Sequence, residues 1–165
     1  MNELLPHVEI EFELTNAENA AALRWHVLHT GGFRLTAPAG VLAAALLTAA
    51  MRFNDFSWLY AIGVGALALV GSALLVVFVF PWIAAVRSPQ LTQHYHFIFS
   101  QRNIRYESEE TRGVIEWDRY DRWTTTPDFY LLYYEGEQFT VIPRRAYPSE
   151  EAEKRFVKML QLRLG

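Results

Sequence analysis

Leu35-Thr36-Ala37-Pro38-Ala39-Gly40-Val41 opens a stretch that runs to Met51 without a charged side chain. Ser57-Trp58-Leu59-Tyr60 opens a second, which runs to Val86, again without one. The polar patch Arg52-Phe53-Asn54-Asp55-Phe56 separates them. A helix that crosses a bilayer takes about 20 mostly apolar residues, within a range of roughly 17–25. The block 35–86 therefore reads as a transmembrane hairpin, with helices at about 35–51 and 57–86 joined by a tight turn. Pro38 is placed in the first turns of the first helix, where a missing amide donor matters little. Pro81 is a candidate kink near the end of the second. Trp58, Tyr60 and Trp82 suit interfacial depths.

Working outward, His7-Val8-Glu9-Ile10-Glu11-Phe12-Glu13-Leu14 alternates strictly. That period predicts a strand buried on one face, with Val8, Ile10, Phe12 and Leu14 inward. A lone strand is not stable, so it requires a partner in this chain or another. Thr15-Asn16-Ala17-Glu18 has capping-box spacing, and Ala20 to Leu28 reads as a helix that Gly31-Gly32 ends or bends. Trp25 and Leu28 give this helix an apolar side, either for the membrane interface or for packing on the rest of the protein. An apolar region that starts only at Leu35, after Glu9, Glu11 and Glu13, has the wrong position and charge for a cleavable signal peptide.

After Val86 the sequence turns β-rich. His94 to Phe99 and Ile104 to Glu107 read as strands around the turn Gln101-Arg102-Asn103. Arg112-Gly113 reads as a second turn, and Phe129–Tyr134 with Phe139–Ile142 as a hairpin around Glu135-Gly136-Glu137. Ser149 caps a final helix with Glu150 and Glu151 in its first turn. Ala152, Phe156, Met159 and Leu160 share one face of it. The expected fold is α+β: a transmembrane helical hairpin plus a small antiparallel sheet or barrel closed by a carboxy-terminal helix. The expected division is 1–34 (strand and helix, docking on the carboxy-terminal module), 35–86 (hairpin) and 87–165 (cytosolic β module with its helix).

Composition narrows the chemistry. The 165 residues include no cysteine and carry a formal net charge of −3. Disulfides and thiol catalysis are excluded, and the nearly even charge after Val86 gives no footprint for nucleic acid. His94 and His96 share a strand face and His26 and His29 lie one helical turn apart, but nothing in the sequence brings the pairs together, so no metal site is assigned. Glu116, Asp118, Asp121 and Asp128 alternate with Arg119 and Arg122 and read as solvated ion pairs rather than an acid–base pair. Trp117, Tyr120 and Trp123 read as core. With no nucleophile elbow and no phosphate loop, no catalytic or cofactor-binding residue is assigned and enzyme activity is not expected.

Two sets of residues remain as candidates. Arg144 and Arg145, ahead of the last helix, suit lipid headgroups or a partner; the alternative is that one pairs with Glu150 or Glu151 and fixes the corner. Ala61, Gly65, Ala68 and Ser72 on the second apolar helix, and Gly40, Ala44 and Thr48 on the first, form small-residue ridges. Such ridges serve either as an oligomer interface, which admits a homo-oligomer, or to pack the two helices together. Arg24, Arg34, Arg87, Arg102 and Arg105 outside the block, against Arg52 in the turn, place both termini in the cytoplasm.

Three stretches carry a resemblance: Gly113-Val114-Ile115-Glu116-Trp117-Asp118-Arg119-Tyr120; Phe129-Tyr130-Leu131-Leu132-Tyr133; and Val141-Ile142-Pro143-Arg144-Arg145-Ala146-Tyr147-Pro148-Ser149-Glu150. In this order, around a two-helix hairpin, they resemble the bacterial YcxB-like family, and the closing module is similar to a pleckstrin-homology-like domain. Gly31-Gly32 departs from the continuous, basic run that the family pattern leads one to expect there. The resemblance implies a membrane-anchored bacterial protein and supplies no catalytic residue; the expected location is the inner membrane, crossed more than once. The functional expectation is a non-enzymatic tethering, sensing or scaffolding module at the cytoplasmic membrane surface, with the lipid bilayer and a protein or peptide as partners. The alternative is a small accessory subunit of a membrane complex or transporter in which the hairpin is the functional part.

Overall fold

The structure, a computed structural model, describes residues 7–29, 31–87, 93–109 and 111–165, with residues 31–36 described by their backbone alone. Along the chain come strand β1 (Val8–Glu13) and helices α1 (Asn16–His29), α2 (Gly31–Phe53), α3 (Trp58–Leu74) and α4 (Phe80–Arg87). Then follow strands β2 (His94–Phe99), β3 (Asn103–Ser108), β4 (Arg112–Glu116), β5 (Tyr120–Thr125), β6 (Phe129–Tyr134) and β7 (Gln138–Pro143), and helix α5 (Glu150–Leu164). The chain forms two compact units, Met1–Thr15 with Pro89–Gly165, and Asn16–Ser88. β1 thus groups with the carboxy-terminal strands, and α1 with the apolar helices. Helix α1 packs with the apolar helices, mainly against α4.

The first unit holds two antiparallel sheets, ordered β1-β2-β3-β4 and β5-β6-β7. β1 pairs with β2 within the chain, with Ile10 opposite Phe97 and Glu11 opposite His96. Its alternation works as the period demands: Val8, Ile10, Phe12 and Leu14 are buried while Glu9, Glu11 and Glu13 are exposed. The inward side chains meet a row of rings, Phe12 stacking on Phe97 at 5.9 Å and Phe97 on Phe99 at 5.6 Å. The expected barrel does not close. The 3-10 turn Trp117–Arg119 interrupts the extended backbone after β4, and β5 starts a separate sheet.

Arg112-Gly113 is strand rather than turn. Gly113 lies opposite Tyr106, and a Cβ there would come within 2.8 Å of the Tyr106 ring, so the glycine makes room for an aromatic neighbour and not for a reversal. The β6–β7 connection is a true reversal, with Glu135 and Gly136 at φ 47° and 87°; Gly136 tolerates this because it lacks a Cβ. Helix α5 closes the unit. Ser149 Oγ accepts from the Ala152 amide at 3.2 Å, and Ala152, Phe156, Met159 and Leu160 are the buried face.

In the second unit α2 begins at Gly31, so Pro38 lies inside the helix and leaves one rung of the amide ladder empty, contrary to its expected place in the first turns. Before Pro81 the helix widens into a π turn at Leu75–Val79, where the Phe80 amide bonds the Leu75 carbonyl. The extra residue per turn relieves the conflict between a proline ring and the preceding turn's carbonyl. Of the two expected spans, one among the described residues is long and apolar enough to cross a membrane, the 30 residues Trp58–Arg87, of whose most apolar stretch only 6% is buried. Ala37–Phe53 is apolar but shorter. The turn between α2 and α3 is held by Arg52, which donates to the Phe56 carbonyl and lies 4.8 Å over the Trp58 ring.

Candidate functional site

The sequence candidates Arg144 and Arg145 sit in the 3-10 turn Arg144–Ala146, the corner between β7 and α5. Pro143 ends the strand and Ser149 starts the helix, so the corner is short and fixed at both ends. Arg144 Nε donates to Glu153 Oε1 at 2.6 Å, and Tyr130 Oη donates to the same oxygen at 2.7 Å. The Arg144 guanidinium also stands 5.4 Å over the Tyr130 ring. The acid that meets Arg144 is therefore Glu153, further along the first turn of α5 than Glu150 and Glu151; Glu150 pairs with Lys154 at 2.7 Å instead. Arg145 reaches another element and donates to the Glu13 carbonyl at 2.7 Å, tying the end of β1 to the corner.

The electrostatics follow from this crowding. Partial burial pushes the Glu153 carboxyl up, but the Tyr130 and Arg144 hydrogen bonds and the Arg144 charge outweigh it and hold the group below the usual carboxylate range. Burial first, then the bond to Glu153, raises the Tyr130 phenol to about 12. Burial, with the Tyr130 and Glu153 charges behind it, raises Tyr147 as well. Tyr130, Arg144 and Glu153 are anchors, each held in the protonation state that keeps the corner bonded, whereas the buried Tyr147 hydroxyl finds no hydrogen-bond partner among the described residues.

Glu153→Gln is expected to cost about 1–2 kcal/mol at neutral pH, the worth of a charge-assisted bond that is partly open to water. Because the folded carboxyl lies below its ordinary value of 4.5, its contribution is present above that value and lost as pH falls through the folded one. Urea midpoints of the wild-type and variant chains measured from pH 7 to pH 3 should converge at the acid end.

The other candidates occupy the apolar helices. A Cβ on Gly65 would lie 2.1 Å from Thr48 Oγ1 and 3.2 Å from the Ala44 carbonyl, and one on Gly40 would meet Ser72 Oγ at 3.3 Å. Thr48 Oγ1 in turn donates to the Ala44 carbonyl at 2.9 Å. These small residues of α2 and α3 thus face each other. Ala68 is half-buried. Gly65→Leu is expected to separate the two helices, since overpacking a tight contact costs about 1–3 kcal/mol or more. Cysteines placed at Gly40 and Ser72, positions that meet across the two helices, should crosslink in the parent and lose that crosslink in the variant.

The histidines of β2 pair with glutamates of β1. His94 Nε2 meets Glu11 Oε1 at 2.6 Å, and His96 Nε2 meets Glu9 Oε1 at 2.7 Å, diagonally across β1 and β2. His29 Nδ1 lies 2.9 Å from the Trp25 carbonyl. Arg119 leaves its sequence neighbours to pair with Glu135 at 3.3 Å, and Arg122 lies over the Tyr133 ring at 4.5 Å, because β5 pairs with β6. Sequence reasoning missed Tyr130, Tyr147 and Glu153. The one legible hint was Glu153 itself, an acid beside the buried Ala152 on an otherwise solvated first turn.

Fold and corner together define a class of protein: an α+β module of two antiparallel sheets closed by a terminal helix, whose first strand is separated from the others by a block of apolar helices. Residues 99–160, from the end of β2 into α5, match the family model described as YcxB-like protein, so the YcxB-like resemblance is shown over that portion of the chain. No curated protein and no solved structure matches.

Proposed function

We propose that the chain is a multi-pass protein of the bacterial inner membrane whose apolar hairpin holds a non-enzymatic tethering, sensing or scaffolding module at the cytoplasmic surface. The observation that carries this reading is the pairing of β1 with β2. A chain that leaves a sheet after Glu13 and rejoins it at His94 crosses a bilayer an even number of times if it crosses at all. Trp58–Arg87 supplies one crossing by length and apolarity. Helix α2, at 23 residues and about 1.5 Å per residue, is long enough for the return. The positive-inside bias then assigns both termini to the cytoplasm.

The four-plus-three strand arrangement with a closing helix supports the pleckstrin-homology-like reading. A binding role is favoured because Tyr130, Arg144 and Glu153, three of the shifted groups outside the apolar helices, are tied into one structural cluster. The partner is a protein, a peptide or the lipid surface itself. The test is crosslinked pull-down of the full chain from native membranes, read by protein and lipid mass spectrometry. A specific partner retained by the β module is the expected result, and recovery of background alone would count against it.

The accessory-subunit reading has one observation in its favour. Gly63 and Gly71 have nothing within 4 Å of where a Cβ would stand, so α3 offers small residues to open space. If Gly63→Leu and Gly71→Leu abolish recovery of the partner, the hairpin is the functional part.

A further inference from the structure

Helix α5 fills one end of the space between the two sheets: the Phe156 ring lies 4.7 Å from Phe99 and 5.4 Å from Tyr130. Away from those contacts the same space holds a cavity of about 200 Å³. Phe12, Phe97 and Tyr120 form its buried floor, and the half-buried Tyr95, Tyr106 and Tyr134 form its rim. None of the side chains that line it is charged.

Three features select an occupant. An apolar cavity of about 150 Å³ holds a benzene ring, so this one suits a ring of indole or phenol size. Its walls are rings at stacking distances, Tyr95 to Phe97 at 5.9 Å and Phe97 to Tyr106 at 6.3 Å, and aromatic faces and edges attract a further ring in offset or edge-on geometry. The polar feature at the floor is the Tyr120 hydroxyl, 3.2 Å from Thr140 Oγ1. Two hydroxyls that share one hydrogen bond retain one proton to donate and lone pairs to accept.

We infer that this cavity binds a neutral, single-ring or indole-sized aromatic group bearing one hydrogen-bonding atom, which docks on Tyr120 and Thr140. The group is either a free small molecule or the tyrosine or tryptophan side chain of a peptide. This gives the binding role proposed above a ligand class, and it holds whether or not the apolar helices cross a bilayer. Failure here would therefore leave the membrane reading intact, and failure of the pull-down would leave the cavity intact.

The test is equilibrium dialysis of indole against the full chain in an alkyl-maltoside detergent, with toluene as a ring that lacks the polar atom. Saturable one-to-one binding of indole is expected. Ile115→Phe, which fills the cavity, should abolish it. Tyr120→Phe, which keeps the ring and so the fold, should weaken indole up to roughly tenfold, the worth of one neutral hydrogen bond, and leave toluene unchanged. Competition by N-acetyl-tryptophanamide would assign the ring to a side chain, and its failure to compete would assign a free molecule. Indole uptake that rises linearly without saturating, or that both variants leave unaltered, would overturn the inference.

Discussion

Phe156→Ala is expected to destabilise the two-sheet unit by about 3–5 kcal/mol, the range for deleting a fully buried ring. Phe156 is 0% exposed and is the point where α5 meets both sheets: Phe99 lies in the first, Tyr130 in the second, and Tyr147 at 5.2 Å belongs to the corner between β7 and α5. Truncation would strip three edge-on or tilted ring contacts at once and leave a void that rigid strands cannot collapse to fill. Against a typical stability of about 5–15 kcal/mol, the loss is a large fraction of the total. Chemical unfolding of the detergent-solubilised full chain, followed by near-ultraviolet circular dichroism, should show the midpoint drop sharply. Phe156→Leu, which keeps most of the volume, should recover more than half of it.

The second large effect is expected at Ile10→Asp. Ile10 is 2% exposed and faces Phe97 at the centre of β1. A carboxylate there is either buried without a partner, at a cost of several kcal/mol, or takes the strand out of the sheet with it. Because β1 is joined to its sheet through the whole second unit, there is no short turn to hold it in place once the inward face is lost. The result should be protease cleavage ahead of α1 in the variant and protection in the parent. Glu11→Gln, on the outward face, should behave almost as wild type, since it disturbs only the solvent-exposed pair with His94.

These positions show what the sequence makes readable. The strict alternation of Val8 to Leu14 and the helical spacing of Ala152, Phe156, Met159 and Leu160 identify buried faces, because a period is a local property and burial follows from it. Apolar length, also a local property, marks Trp58–Arg87 as a helix long and apolar enough to cross a membrane. Partners are another matter. Glu153 rather than Glu150 or Glu151 meets Arg144 because the 3-10 turn rotates the corner, and that rotation has no local signature. Gly113 reads as a turn because glycine usually marks one; its reason is the Tyr106 ring on the next strand, which only the register reveals. The cavity is less legible still. Its walls come from both sheets, and each wall residue taken alone is an ordinary inward aromatic.

The central claim is that the strand ahead of the apolar helices completes, in the same molecule, the sheet that lies after them. The absence of native cysteine makes one measurement direct. Directly opposed residues of an antiparallel pair have Cα atoms about 4.5–5.5 Å apart, within the span of a disulfide. Glu11 and His96 are such a pair. Mild oxidation of the Glu11→Cys, His96→Cys chain in membranes should give a reducible, faster-migrating monomer, and Ile10→Cys with His96→Cys, on opposite faces of the sheet, should not. Crosslinked dimers in place of that monomer, or no bridge at all, would contradict the account.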